Sequence, residues 1–146
     1  MLLYWSSRSP FARKVMVVVH ELGLADQIRT ERVVVSALKP NTQVMVLNPL
    51  AKLPTLVLDD GTAMFDSTVI CEYLASLASA RALYPASGPQ RWTALKRQSL
   101  ADGLLDTLLM WLMERAKEPG QQLPALIDGC RIKRTNHFPI LAGIEI

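Results

Sequence analysis

Cysteine is scarce in this chain of 146 residues: Cys71 and Cys130 are the two, far apart, with no CxxC. That excludes a disulfide framework and a cysteine zinc site, and it reads as reduced thiols in an intracellular protein. An excess of charge of one sign is also missing. Sixteen Lys and Arg stand against 13 Asp and Glu, and the basic residues are scattered. A net charge of +3 without a basic block points to neither nucleic acid nor a membrane surface as partner. Apolar runs such as Val15 to Val19 are far too short to span a bilayer. No charged leader followed by a signal-length apolar stretch opens the sequence, so the expected location is the cytoplasm. What is present is a chain half apolar and one-fifth charged. That composition supports a real core, in one ordinary domain or one small domain plus part of another.

The apolar run Leu2 to Trp5 stops at serines and reads as a buried strand. Ser9-Pro10 then supplies a favoured N-cap followed by the residue best suited to the first helical position. Phe11, Val15, Val18 and Leu22 share one helix face, and Gly23 is the expected stop, so a helix is predicted over 10–22. Ile28 to Val35 ends in β-branched residues and reads as a second strand. "SALKPNTQVMVLNP" is turn-rich, with a short helical piece. Thr55 to Leu58, the turn Asp59-Asp60-Gly61 and Ala63 to Phe65 read as a hairpin. Ser67 to Leu77 reads as a helix burying Val69, Ile70, Tyr73, Leu74 and Leu77. "YPASGPQ" has linker composition. Beyond it Trp92, Leu95, Leu100, Leu104, Leu108 and Leu112 mark one long helix up to Ala116, apolar on more than one side. After Pro119-Gly120 the only expected element is a short helix near 123–127. The order β-α-β-α-β-β-α followed by helix indicates an α+β or α/β first domain over 1–80, a linker over 81–89 and a helical region over 90–146.

Three places have chemical potential. The start of the first helix offers unpaired N–H groups and a positive dipole end, which stabilise an anion such as a thiolate. There the Ser9 hydroxyl is either a plain cap or a hydrogen-bond donor to a bound thiolate. Leu53-Pro54 opens a strand; a cis bond there turns the Leu53 backbone away from the sheet, toward a peptide-like ligand. Asp66-Ser67 precedes a helix and is either a simple cap or a seat for an amino-acid head, carboxylate on Ser67 and ammonium on Asp66. The remaining candidates have plainer accounts. Cys71 reads as core and His20 as surface, His137 falls in the unassigned tail, and Arg8 reads as an exposed turn residue. No cysteine occupies the first turn, which argues against a glutaredoxin-like disulfide mechanism.

In this order, "SPFARKV", "NPLAKLPTLVLDDG" and "FDSTVICEYL" resemble the N-terminal thioredoxin-like domain of the cytosolic glutathione transferases, in their serine-type, bacterial-like form. The resemblance covers about 2–80 well and fades near Arg115. It implies a thioredoxin-like α+β domain with a mixed sheet, then an all-α region, here incomplete. It implies glutathione as co-substrate, with no metal, and a small hydrophobic electrophile as its partner in a detoxifying transfer. Ser9 then matches the hydroxyl that stabilises the glutathione thiolate. Lys39 and Lys52 match basic residues near the glycine end, Leu53 before a cis Pro54 matches the backbone edge for the cysteinyl unit, and Asp66 with Ser67 matches the γ-glutamyl seat. Ser6 and Ser7 remain turn residues.

The tail from Glu118 onward departs from that pattern, and one long helix replaces several. Two further readings follow: a non-catalytic glutathione-binding or interaction module, or a truncated inactive relic. Leu104, Leu105, Leu108, Leu109 and Trp111 exceed what one small domain buries, so the expectation is a homodimer or higher oligomer through that helix. Light scattering on a dilute solution checks this; a strictly monomeric species overturns it.

Overall fold

The computed structural model describes residues 1–36, 38–78 and 83–142, with side chains of the last helix only to 136. The expected domain end at 80 and linker start at 81 therefore lie outside the described residues, as does the side chain of His137. The chain divides into two compact units, Met1–Ala86 and Ser87–Ile146.

In the first unit a four-stranded sheet runs in the order β2-β1-β3-β4, from β1 (Leu2–Trp5), β2 (Arg29–Arg32), β3 (Thr55–Val57) and β4 (Ala63–Met64). β1 pairs parallel with β2 and antiparallel with β3, and β3 pairs antiparallel with β4. The fold is the expected thioredoxin-like mixed sheet with helices. β1 alternates its side chains between two faces. Leu3 joins Leu56 under α1 (Pro10–Glu21) and α3 (Ser67–Leu77), in a core completed by Val15, Val19, Ile70, Cys71 and Leu74. Tyr4 faces the other way, with Val33, Val44 and Leu53, where α2 (Thr42–Leu47) covers the sheet.

Several expectations shift by a residue or a face. On α1 the buried positions are Ala12, Val15 and Val19, one residue round from the predicted stripe, with Val18 only half-buried. His20 is exposed and Gly23 takes a φ of 69°, the left-handed conformation that ends a helix. α3 buries Ile70, Cys71 and Leu74, while Val69 and Leu77 face outward. β2 stops at Arg32 because β1 runs out at Trp5, its register partner. Val33 still donates its N–H to the Trp5 carbonyl at 3.0 Å, but Val34 is exposed.

The second unit contains the larger correction. α4 runs over Gly88–Arg115, and α5 over Pro124–Ala142, where sequence periodicity suggested only five helical residues. Gly and Pro disfavour a helix interior, and α5 contains Gly129 and Pro139, yet it packs along α4, and tertiary packing outweighs local propensity. The bend between them has reciprocal caps. Gln122 donates its amide to the Arg115 and Lys117 carbonyls, at 3.3 and 2.9 Å. Glu114, buried on α4, accepts the Leu123 N–H at 2.7 Å through one carboxylate oxygen and the Lys117 ammonium at 2.7 Å through the other. Even with α5 in place, Trp92 is 70% exposed and Leu112 65% exposed. Of the apolar residues expected to need cover, Leu104 is buried and Leu105, Leu108, Leu109 and Trp111 are half-buried. No helix among the described residues is long and apolar enough to cross a membrane.

The Lys117 and Leu123 hydrogen bonds hold the Glu114 carboxyl below its ordinary value of 4.5. A lowered folded pKa means that this bend stabilises the protein above about pH 4.5 and loses that contribution as pH falls through the folded value. Glu114→Gln is therefore expected to be less stable than wild type at neutral pH, with the gap narrowing as pH falls below about 4.5. Urea unfolding of both proteins across that range checks it; a gap independent of pH overturns it.

Candidate functional site

Antiparallel pairing of β1 with β3 sets Tyr4 opposite Thr55. The chain leaving β1 through Trp5 and Ser6 therefore emerges beside the chain entering β3 through Leu53 and Pro54. The turn after β1 closes with the Ser9 N–H donated to the Ser6 carbonyl at 3.0 Å. Its three serines have different fates. Ser6 is buried and accepts the Arg8 N–H at 3.3 Å, Ser7 is exposed, and Ser9 caps α1. Ser9 takes extended φ/ψ, accepts the Ala12 N–H on Oγ at 3.2 Å, and donates its hydroxyl to the Leu53 carbonyl at 3.4 Å. The second bond is long for a hydroxyl donor, so the proton is loosely committed.

The Leu53–Pro54 peptide is cis, and both side chains are buried. Lys52 is exposed beside them. Two polar residues passed over in the sequence lie beneath this loop. Asn48 and Thr55 are fully buried, and both bind the Lys52 carbonyl, at 3.1 and 3.0 Å. Their signal was weak, because an Asn before Pro is first of all a turn residue.

Asp66 is exposed and caps α3, accepting the Thr68 N–H at 2.9 Å and the Val69 N–H at 3.5 Å. Ser67 behind it is buried. The N-terminal halves of α1 and α3 are neighbours: Lys14 donates its ammonium to the Thr68 hydroxyl at 3.5 Å and lies 5.8 Å from the Phe11 ring centre. Two positive helix ends thus stand side by side, next to the Leu53–Pro54 edge. Lys39 is exposed in the bend before α2, and no hydrogen bond or ion pair among the described residues ties it to Ser9, Leu53 or Asp66. This arrangement suits an anion at the start of α1, a peptide-like backbone along Leu53 and a second polar head at α3.

Residues 8–77 match the family model described as Glutathione S-transferase, N-terminal domain. Over 143 residues the chain is 33% identical to an uncharacterized GST-like protein of Escherichia coli strain K12, YibF, covering 98% of this chain and 69% of that protein. The chain belongs to the glutathione transferase family. The solved structure of a glutathione transferase family member from Pseudomonas fluorescens Pf-5, with bound glutathione, superimposes with a TM-score of 0.92. It is 33% identical, over 96% of this chain and 69% of that one. A glutathione S-transferase from Methylobacillus flagellatus KT with glutathione bound gives 0.83, also at 33% identity, over 96% and 67%. The likeness to these glutathione transferases does not fade at Arg115, where the sequence motifs gave out. It extends over nearly the whole chain, α5 region included.

Asp66 accepts two N–H groups at the start of α3, so its loss weakens the protein whatever else it does. Asp66→Ala is expected to cost about 1 kcal/mol in urea unfolding, and Asp66→Asn a few tenths. Equal stability of the Ala variant and wild type overturns the capping role.

Proposed function

We propose that this chain is a serine-type glutathione transferase that holds the glutathione thiolate at Ser9 for attack on a small hydrophobic electrophile. The observation that carries this reading is the meeting of Ser9, at the positive end of α1, with the Leu53 carbonyl before Pro54. The glutathione bound to the Pseudomonas and Methylobacillus relatives supports the choice of thiol.

The chemistry follows from the site. A free thiol of this kind titrates near ~8.5, so little thiolate exists at neutral pH. Glutathione lays its cysteinyl unit along Leu53, with its sulfur at the first turn of α1. The Ser9 hydroxyl then turns from the Leu53 carbonyl to the sulfur while still accepting the Ala12 N–H. That movement releases the Leu53 carbonyl to accept the cysteinyl N–H, so recognition of the backbone and stabilisation of the thiolate are one event. The thiol proton leaves to solvent. The sulfur lone pair forms the new carbon–sulfur bond, and the leaving group departs with its electron pair, or the electrophile's π-electrons take up the charge. Ser9 acts by hydrogen bonding and the helix dipole, not as a nucleophile. Asp66 and Ser67 hold the γ-glutamyl ammonium and carboxylate, and Lys52 and Lys39 attract the glycine carboxylate. The exposed apolar residues of α4, Trp92 and Leu112 among them, support self-association as a homodimer.

Ser9→Ala separates this reading from a module that only binds glutathione. A hydrogen bond to an anion is worth about 1.5–3 kcal/mol, so kcat/KM with a chloronitrobenzene electrophile is expected to fall about 10- to 100-fold. The acid limb of its pH profile should move upward, because the thiolate has lost its donor. Glutathione affinity by calorimetry should change far less. Wild-type binding without turnover establishes the binding module instead, and no binding at all leaves the relic.

A further inference from the structure

Beyond the residues that would touch glutathione, we infer that Asn48 and Thr55 are positioning residues that aim the Leu53 N–H at the ligand. The inference rests on the glutathione reading and goes one layer deeper into the fold. Asn48 is 1% exposed and Thr55 is fully buried, so neither reaches a ligand. Both converge on one atom. Asn48 donates its amide to the Lys52 carbonyl at 3.1 Å, and the Thr55 hydroxyl donates to the same oxygen at 3.0 Å. Asn48 also donates to Thr55 Oγ1 at 3.1 Å, and its own side-chain oxygen accepts the Leu50 N–H at 3.1 Å. Each donor and acceptor position used is consistent with the others, since the reversed amide would set oxygen against oxygen at Lys52.

The Lys52 carbonyl belongs to the same planar peptide as the Leu53 N–H. In a trans peptide the two point in opposite directions. Drawing the carbonyl inward with two buried donors therefore drives the Leu53 N–H outward, to the edge where the cysteinyl unit is proposed to lie. Thr55 is anchored in β3 opposite Tyr4, and the Asn48 backbone N–H ends α2 on the Val44 carbonyl at 2.8 Å. The clamp is thus referenced to the sheet on one side and to α2 on the other. Between them Ala51 takes a φ of 48°, a left-handed conformation an L-residue adopts only when its surroundings impose it. The Ala51 N–H bonds the Asn48 carbonyl at 2.8 Å, so the same residue holds that turn.

The test compares glutathione dissociation constants by calorimetry for wild type, Thr55→Val, Thr55→Ser and Asn48→Asp, each checked for folding by circular dichroism. Thr55→Val and Asn48→Asp are expected to bind about tenfold more weakly, each losing a donor to the Lys52 carbonyl. Thr55→Ser, which keeps the hydroxyl, should bind within about twofold of wild type, a rescue that a purely packing role would not produce. Wild-type affinity in folded Thr55→Val overturns the clamp and leaves the glutathione reading intact, as does an equal loss in Thr55→Ser and Thr55→Val. A wild-type protein that binds no glutathione overturns both. If the Val and Asp variants do not fold, amide NMR on wild type decides. Adding glutathione should shift the Leu53 N–H downfield and slow its exchange, and an unmoved Leu53 amide overturns the inference.

Discussion

The two ladders of β1 are the constraint on which the rest of the first unit depends. This strand of four residues pairs parallel with β2 and antiparallel with β3. The antiparallel register, Tyr4 against Thr55, brings the exit of β1 and the entry of β3 to the same end of the sheet. Ser9 and Leu53 are 44 residues apart in sequence and within hydrogen-bond reach in space for that reason. Leu3 and Leu56 lie across from one another in the same register and provide the apolar floor on which α1 and α3 settle. The packing that stabilises the fold thereby also sets two helix N-termini beside the Leu53–Pro54 edge, with Lys14 and Thr68 joining their N-terminal halves.

Around that end four polar side chains have a structural task before any ligand is considered. Ser9 and Asp66 satisfy helix N–H groups, and Asn48 and Thr55 satisfy the Lys52 carbonyl. Capping and ligand binding draw on the same physics, because a helix start is a cluster of unpaired donors with a positive dipole. A hydroxyl can accept from its helix and donate outward at once, so Ser9 need not give up one role for the other.

The second unit shows where local reading loses force. α4 was legible because its length contains no interior proline and its leucines recur at helical spacing. α5 was not, because Gly129, Pro139 and an irregular apolar pattern argue locally against a helix of 19 residues. Its stability comes from packing on α4 and from the exchange of caps between Glu114, Gln122 and the ends of both helices. Those partners are separated by a bend whose geometry no periodicity encodes. The rotated stripe on α1 and the outward-facing Val69 and Leu77 have a similar origin: helical spacing names a broad face, and contact with the sheet selects the part that is buried.

The amino-acid sequence by itself determined the type and order of the elements in the first unit, the caps at Ser9 and Asp66, and the proline that opens β3. These are local matters of backbone sterics, side-chain reach and alternation, settled within a few residues. It also set apart Ser9 from Ser6 and Ser7, since only Ser9 precedes the proline that starts a helix. Only the tertiary structure decided that Ser9 meets the Leu53 carbonyl, that Asn48 and Thr55 converge on the Lys52 carbonyl, and that the tail forms a helix against α4. The first joins residues 44 apart. The second lies within residues 48 to 55, yet its geometry is set by Thr55 in β3 and Asn48 at the end of α2. Each depends on the sheet register or on the burial of apolar faces, and neither is written in the local residue pattern.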